Sequence, residues 1–334
     1  MTSAGADGSF LPHLSASIVT YNDTDCLPLF LDALGKQTGV TWEAFFFQNG
    51  PMPGACELIG EAGLGELFVS AENVGFSRGH NHNLTRCRGR YVLLLNPDLQ
   101  FGPDLFARLA RFLDEHPEYA IAAPRIAEGP ATRPFPPRFF YPGEGMVALE
   151  RGFRRTEIAW VNGCCMIIRR EAFEKLGGFD PGFFLYQSET DLCRRARILG
   201  LRIGYAADIG VHHLHRQSQR DVSEYQYSRT LFDGSAVFWQ KHFEPRDVLR
   251  MVRFQYWLSA VLLAMTGVIS TVSRTSPALG KARLTARRDV CSEWLRRQHG
   301  IERWKGIRPG RIAWRQLGII REWIVQRRFP LDDY

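Results

Sequence analysis

The chain has 334 residues, 45% of them hydrophobic and 23% charged, which excludes a disordered or fibrous polypeptide and allows one large core or two smaller ones. Lys and Arg outnumber Asp and Glu by 42 to 35, a formal net charge of +7, and that surplus suits a phosphate-bearing substrate, an anionic lipid surface or nucleic acid. Seven cysteines (Cys26, Cys56, Cys87, Cys164, Cys165, Cys193, Cys291) are scattered without a C-x-x-C, and Met1 to Phe10 has no apolar signal core; reduced thiols in a cytosolic protein are expected, not a disulfide framework or zinc cage.

From Ser15 to about Arg216, short apolar runs alternate with amphipathic stretches, which predicts strands and crossover helices around a mainly parallel sheet. Ser17 to Tyr21 reads as the first strand. A helix follows from Cys26 to Leu34, with Leu27, Phe30, Leu31 and Leu34 on one face. Glu43 to Phe47 is the second strand, closed by the turn Asn49-Gly50-Pro51, and Leu67 to Val69 is the third. Tyr91 to Leu95 is the most apolar strand and is expected at the centre. Residues 127 to 150, rich in Pro, Gly, Arg and Phe, read as a mobile loop. Order returns with Trp160 to Arg169, a helix from about Glu189 to Leu199, and a strand-like Leu201 to Ala206.

Beyond Asp221 the character changes. Phe254 to Ser273 carries no charge, and Arg246, Arg250, Arg253, Arg274, Lys281, Arg283, Arg287 and Arg288 flank it. About 20 apolar residues cross a bilayer, but Gln255, Ser259, Thr266 and Ser270 dilute this run. An interfacial helix, a true span and a buried helix all fit the pattern. The chain therefore divides into a tail at 1–14, an α/β domain at 15–222 and a helical, basic and apolar extension at 223–334.

The chemistry is expected around Asn96-Pro97-Asp98, directly after the central strand. Ligands of open α/β sheets sit beyond the carboxyl ends of the strands, and a carboxylate there can hold a hard cation against a diphosphate. The same tripeptide is also good turn material. Upstream lies the loop Ala71-Glu72-Asn73-Val74-Gly75-Phe76-Ser77-Arg78-Gly79-His80-Asn81 before a helix, where glycine lets backbone approach a ligand and a helix start favours anions. Downstream come Val161-Asn162-Gly163-Cys164-Cys165-Met166-Ile167-Ile168-Arg169-Arg170, then Gly177-Gly178-Phe179-Asp180, Ser188-Glu189-Thr190-Asp191-Leu192 and Val211-His212-His213-Leu214-His215.

In this order the motifs resemble the inverting glycosyltransferases of family 2, and among them the bacterial rhamnosyltransferase-like branch acting on cell-surface polysaccharides. The resemblance covers roughly residues 15 to 220 and implies a GT-A (Rossmann-like) fold of a mainly parallel sheet flanked by helices, with the C-terminal extension outside it. It implies that Thr20, Tyr21 and Asn22 line the nucleotide pocket, with Gln48 where the family usually has an aspartate meeting the base. Asn73, Gly75 and Arg78 would flank the nucleotide and its phosphates. Asn96 replaces the first acid of the usual D-x-D, leaving Asp98 as the carboxylate ligand of Mn2+ or Mg2+. His213, or failing it His215, would complete the metal site.

The branch usually carries Glu-Asp before x-D-L; here Ser188 and Glu189 stand there. Glu189 then takes the place of the catalytic base, with Asp191 as the alternative, while Ser188-x-x-Asp191 also reads as a helix capping box. The implied partners are a dTDP- or UDP-linked sugar donor, with rhamnose favoured, and a glycan or lipid-linked acceptor at the inner face of the cell membrane, without nucleic acid. A nucleotidyltransferase and a non-catalytic membrane-surface binding protein are the rival readings. The first would need a Gly-rich, Lys-bearing loop where Thr20-Tyr21-Asn22-Asp23 stands; the second draws on basic residues that concentrate after 245.

Overall fold

A computed structural model describes residues 12–129, 133–135, 138, 141–142, 158–214, 222–269 and 277–299. The chain divides into two compact units, with the boundary in sequence between His242 and Phe243.

The first unit is built on one mixed sheet. Its strands are β1 (Leu14–Thr20), β2 (Trp42–Gln48), β3 (Glu66–Val69), β4 (Tyr91–Leu95), β5 (Leu99–Gln100), β6 (Tyr119–Glu128), β7 (Arg133–Phe135), β8 (Cys165–Arg169) and β9 (Arg202–His213). They lie in the order β3-β2-β1-β4-β8-β6-β9-β5, with β7 paired to β6. The half from β3 to β4 is parallel, as the alternation of strands and helices predicts. Past β4 the sheet is mixed: β8 runs antiparallel to β4 and β6, β9 is parallel to β6, and β5 is antiparallel to β9. Helices α1 (Leu27–Gly35), α2 (Pro53–Ala62), α3 (Phe76–Leu84), α4 (Leu105–Glu115), α5 (Arg170–Lys175) and α6 (Ser188–Ile198) complete the α/β layering, and α7 (Glu224–His242) closes the unit.

The core explains the strand order. In β4 all five side chains are buried, Tyr91, Leu93 and Leu95 in one apolar cluster and Val92 and Leu94 in the other, as period-two alternation requires. The first cluster takes Leu27, Phe30, Leu31 and Leu34 of α1 with Phe106 and Leu109 of α4; the second takes Phe173 of α5 and Leu192 of α6. A strand covered on both faces belongs in the middle. Burying each such side chain contributes ~1.5–3 kcal/mol. Under α3 the sheet face is polar instead: Ser17 bonds His80 Nδ1 at 2.8 Å, and Asn83 Nδ2 reaches Ser17 Oγ and the Ile18 and Phe45 carbonyls.

Two expectations change. The stretch 127 to 150 begins inside β6 and contains β7, and its remainder lies largely outside the described residues. The last strand does not end at Ala206 but runs to His213, with a register shift against β6 after Pro124. Asp208 and Gly210 break the apolar pattern at that shift, and a bulge lets one strand pass through them.

The second unit contains α8 (Pro245–Ile269) and α9 (Pro277–His299), which pack on each other. Arg287 Nη1 donates to Gln255 Oε1 at 3.0 Å across that pair. By length and composition alone, Pro245–Met265 is apolar enough to cross a membrane, with a mean hydropathy of 1.2.

Candidate active site

Strand pairing assembles the site. His213 is the last residue of β9, opposite Leu99 of β5 on one side and Glu128 of β6 on the other. Leu214 N–H donates to the Asp98 carbonyl at 3.0 Å, which fixes the Asp98 backbone beside the strand end. The buried Asp98 carboxylate and His213 imidazole then face each other, Oδ1 to Nε2 at 3.1 Å. On the other side of the ring, Nδ1 lies 3.6 Å from Glu128 Oε1, which also accepts from Asn162 Nδ2 at 3.1 Å. Burial disfavours a charged imidazolium, but Cys164, Asp98 and Glu128 outweigh it and hold the His213 pKa well above its ordinary value. Buried Cys164 has its own pKa raised, first by desolvation.

Among the described residues, the buried Asp98 Oδ1 has no hydrogen-bond partner beyond this contact with His213 Nε2. Neighbouring ligands of an octahedral ion bonded at ~2.1 Å stand ~3.0 Å apart, close to the 3.1 Å between Asp98 Oδ1 and His213 Nε2. The spacing therefore fits a divalent cation, which would take the place of the proton that the two groups share. The pair supplies two ligands, and among the described residues no group of three His, Cys, Asp or Glu side chains could hold one. Substrate phosphates and water would complete such a shell. His212 is excluded by alternation: it points to the opposite face, and its two nitrogens meet Gln100 Oε1 at 3.0 Å and the Gly129 carbonyl at 2.9 Å. His215 lies outside the described residues.

Glu189 reaches the same neighbourhood through the turn before β8. Asn96 N–H donates to the Cys164 carbonyl at 2.8 Å, and Cys164 N–H donates to Asn162 Oδ1 at 2.9 Å. Between them, Gly163 is open because α6 presses on it: a Cβ there would stand 3.2 Å from Glu189 Cβ. The half-buried Glu189 carboxyl is pushed up to about 7 by desolvation, which its backbone hydrogen bond and the Ser188 hydroxyl only partly oppose. The helix is not capped as its sequence suggests. Ser188 is already helical, and the N-cap is Gln187, at φ 71° in the left-handed region without a side-chain cap. For a non-glycine residue that geometry costs ~1–3 kcal/mol; Gln187 is buried, with Nε2 3.3 Å from Ser235 Oγ of α7.

Asp191, the alternative base, is instead held among three basic side chains. Its fully buried carboxylate meets Arg195 Nε at 2.8 Å, Lys241 Nζ at 2.7 Å and His242 Nε2 at 2.7 Å. Burial alone would raise its pKa, but hydrogen bonds from His242, Lys241 and Arg195 prevail and bring it down to about 2. A carboxylate so held is a poor proton acceptor. Its work is to tie α6 to the end of α7, and Lys241 extends the tie to Asp180.

The residues expected at the nucleotide form a second group beside β1 and β2. Thr20 and Gln48 are buried, with Thr20 Oγ1 donating to Gln48 Oε1 at 2.7 Å and Gln48 Nε2 to the Gly50 carbonyl at 3.0 Å. Each end of the Gln48 amide thus has one partner inside the protein, leaving its second N–H and second lone pair for a base. Tyr21 is exposed, and Asn22 is in the left-handed region at φ 54°. Asn49 pins the 73–75 loop by accepting from Val74 N–H and donating to the Gly75 carbonyl, while Asn73 Oδ1 accepts from Gly75 N–H. Arg78 is exposed on α3. The α3 start does not present its first amide to an anion: Phe76 N–H donates to the Phe184 carbonyl at 2.7 Å, and Gly75, at φ 89°, is needed because that carbonyl lies against it. Likewise Asn81 brackets Phe179 in both directions at 2.8 Å, which binds the first motif to the Gly177-Gly178-Phe179-Asp180 turn.

Sequence reasoning did not find Glu128, Lys241 or His242. Glu128 carried a partial signal, as an acid just past the strand-like stretch Tyr119 to Ala127, which Pro124 and Arg125 interrupt. Nothing local marks Lys241 or His242, which meet Asp191 across fifty residues.

Residues 15–177 match the family described as glycosyl transferase family 2. A low-salt glycan biosynthesis hexosyltransferase of Haloferax volcanii is 29% identical over 168 residues, 47% of this chain and 54% of that protein, so the chain matches about half the length of that relative. An N-acetylglucosaminyl-diphospho-decaprenol L-rhamnosyltransferase of Mycobacterium tuberculosis is 23% identical over 62% of this chain and 78% of its own. A rhamnosyltransferase of Escherichia coli is 25% identical over 47% and 67%. Among solved structures, a mannosyltransferase from Pyrobaculum calidifontis in complex with GDP-Man and Mn2+ superposes with a TM-score of 0.57 at 14% identity, covering 90% of both chains, and shares the fold.

Proposed function

We propose that this chain, a glycosyltransferase-family enzyme of the family 2 superfamily with GT-A-like architecture, transfers a sugar with inversion from a pyrimidine nucleoside-diphosphate donor to a glycan or lipid-linked acceptor. One observation carries the reading: the turn Asn162–Cys164 touches both the strand end bearing Asp98 and the helix start bearing Glu189, so a cation site and a candidate base share a neighbourhood.

Asp98 and His213 would hold Mn2+ or Mg2+, and Glu128 with Asn162 would set the imidazole's orientation, a role that outer hydrogen-bonding partners commonly play for metal-binding histidines. Such a cation offsets charge on a departing diphosphate. Glu189, with its pKa raised to about 7 by burial, would take the acceptor hydroxyl's proton. As that oxygen bonds to the anomeric carbon from one face, the bond to the diphosphate oxygen breaks on the other, so configuration inverts. General-base help of this kind contributes ~10²–10⁴-fold. Thr20, Tyr21, Asn22, Asn73, Gly75, Arg78 and Asn96 would surround the nucleotide, with Gln48 bracing Thr20 from behind.

Rhamnose is the favoured sugar, because motif order resembles the rhamnosyltransferase branch and two of the relatives are described as rhamnosyltransferases. A lipid-linked acceptor places the work at the inner face of the cell membrane, as a peripheral protein. The test is incubation of the full chain with dTDP-rhamnose and UDP-hexoses, with manganese present or chelated. Manganese-dependent release of nucleoside diphosphate and an inverted product anomer are expected; a retained anomer, or no release from any donor, refutes the reading.

A further inference from the structure

Helix α8 already has an apolar face to bury: Val248, Met251, Val252 and Ser259 are all buried. A helix packed on one side ordinarily turns polar residues outward. Here the outward side carries Arg246, Arg250 and Arg253, then Trp257, Val261 and Met265, all exposed. At 100° per residue these six fall within an arc of ~120°. The order along the arc matters: cations occupy the first turns, and an aromatic followed by aliphatics occupies the rest. Two acids lie at this end: exposed Glu244 just before the helix, and Asp247, largely buried and 3.6 Å from Arg250, whose side chain is 72% exposed.

We propose that this face docks the enzyme on an anionic phospholipid surface, with the three arginines at the phosphates and Trp257, Val261 and Met265 entering the boundary between headgroups and acyl chains. Charge complementarity selects this occupant. A second protein copy would bring three like charges against the same arginines, and a neutral apolar partner would leave them unanswered. The buried opposite face, and Arg253 within the apolar stretch Pro245–Met265, favour lying in the interface over crossing the bilayer. The proposal assigns residues outside the candidate active site to the peripheral membrane location of the proposed function, and its test leaves the transfer chemistry to be decided separately.

Each arginine near an anionic surface contributes about fivefold to binding, so replacing three gives a loss of roughly a hundredfold. The experiment is co-sedimentation of the full chain with phosphatidylcholine vesicles, with and without phosphatidylglycerol. The wild type, Arg246→Gln/Arg250→Gln/Arg253→Gln and Trp257→Ser/Val261→Ser/Met265→Ser are compared. Binding that requires phosphatidylglycerol, weakens with salt and drops about a hundredfold in the arginine variant is expected, with nucleoside-diphosphate binding unchanged in all three proteins. A milder Trp257→Phe chain should lose part of the tryptophan quenching given by brominated lipid while still sedimenting. Equal binding by wild type and the arginine variant overturns the proposal. So do equal binding to neutral vesicles, quenching unaffected by Trp257→Phe, and concentration-dependent self-association through this face without vesicle binding.

Discussion

Replacing Glu189 with Gln keeps shape and hydrogen bonding but removes the ionisable group, and two separate consequences can be worked out. The first is kinetic: turnover should fall ~10²–10⁴-fold, while donor affinity stays within about twofold, since the carboxyl acts on the acceptor. The second concerns stability. The folded protein holds this carboxyl at about 7 against 4.5 for the free side chain, so the folded state binds its proton more tightly than the unfolded state. Below pH 4.5 both states are protonated and the group makes no difference. As pH rises through 4.5 to 7, the wild type loses stability, because ionising the buried carboxyl is costly. The rise corresponds to at most ~3 kcal/mol, and residual solvent contact lowers it to ~1–2 kcal/mol. Glu189→Gln should therefore gain ~1–2 kcal/mol over wild type at pH 8 relative to the difference at pH 4.5. Urea melts of both proteins at the two pH values measure this, and the kcat profile of the wild type should fall below about pH 7. A pH-independent stability difference together with near-normal turnover would refute the assignment.

Asp191→Asn removes the anion from a buried cage, and leaving Arg195, Lys241 and His242 without it should cost ~3–5 kcal/mol in urea denaturation. In the wild type this contribution is present above pH 3.8 and fades as pH falls toward about 2, because the folded carboxylate is the stronger acid; stability unchanged in the variant would remove the cage from the account. Gly163→Ala puts a methyl 3.2 Å from Glu189 Cβ. Displacing the carboxyl by a fraction of an ångström should lower kcat ~10-fold or more with donor affinity kept, and an unaffected kcat would mean that Glu189 is not held against this turn. Glu128→Gln should weaken manganese activation ~10–100-fold, read as the manganese concentration giving half-maximal stabilisation against heat; no shift would make Glu128 a bystander.

The parallel half of the sheet was legible because its strands are short apolar runs and its first helix puts four apolar residues at the right spacing. The mixed half was not. β6 carries Pro124 and Arg125 in its middle, and β9 passes Asp208 and Gly210 at a bulge, so neither shows clean periodicity. The position of Asp98 followed from the end of β4, whereas its meeting with His213 depends on β5 pairing with β9, a long-range contact that no local pattern encodes. Motif residues also turned out to have structural partners. Gly75 makes room for Phe184, Asn81 brackets Phe179, and Gln48 braces Thr20. A motif read from sequence marks where chemistry and packing are jointly constrained, and coordinates are needed to separate the two.

The central claim, a diphosphate bound through a cation on Asp98 and His213, is tested most directly by calorimetric titration of dTDP and UDP. The titrations use wild type and Asp98→Asn, with manganese and with chelator. Tight binding that weakens tenfold or more, ~1.4 kcal/mol, on either chelation or substitution is the predicted result. Affinity for neither nucleotide, or equal affinity in all four conditions, would contradict it.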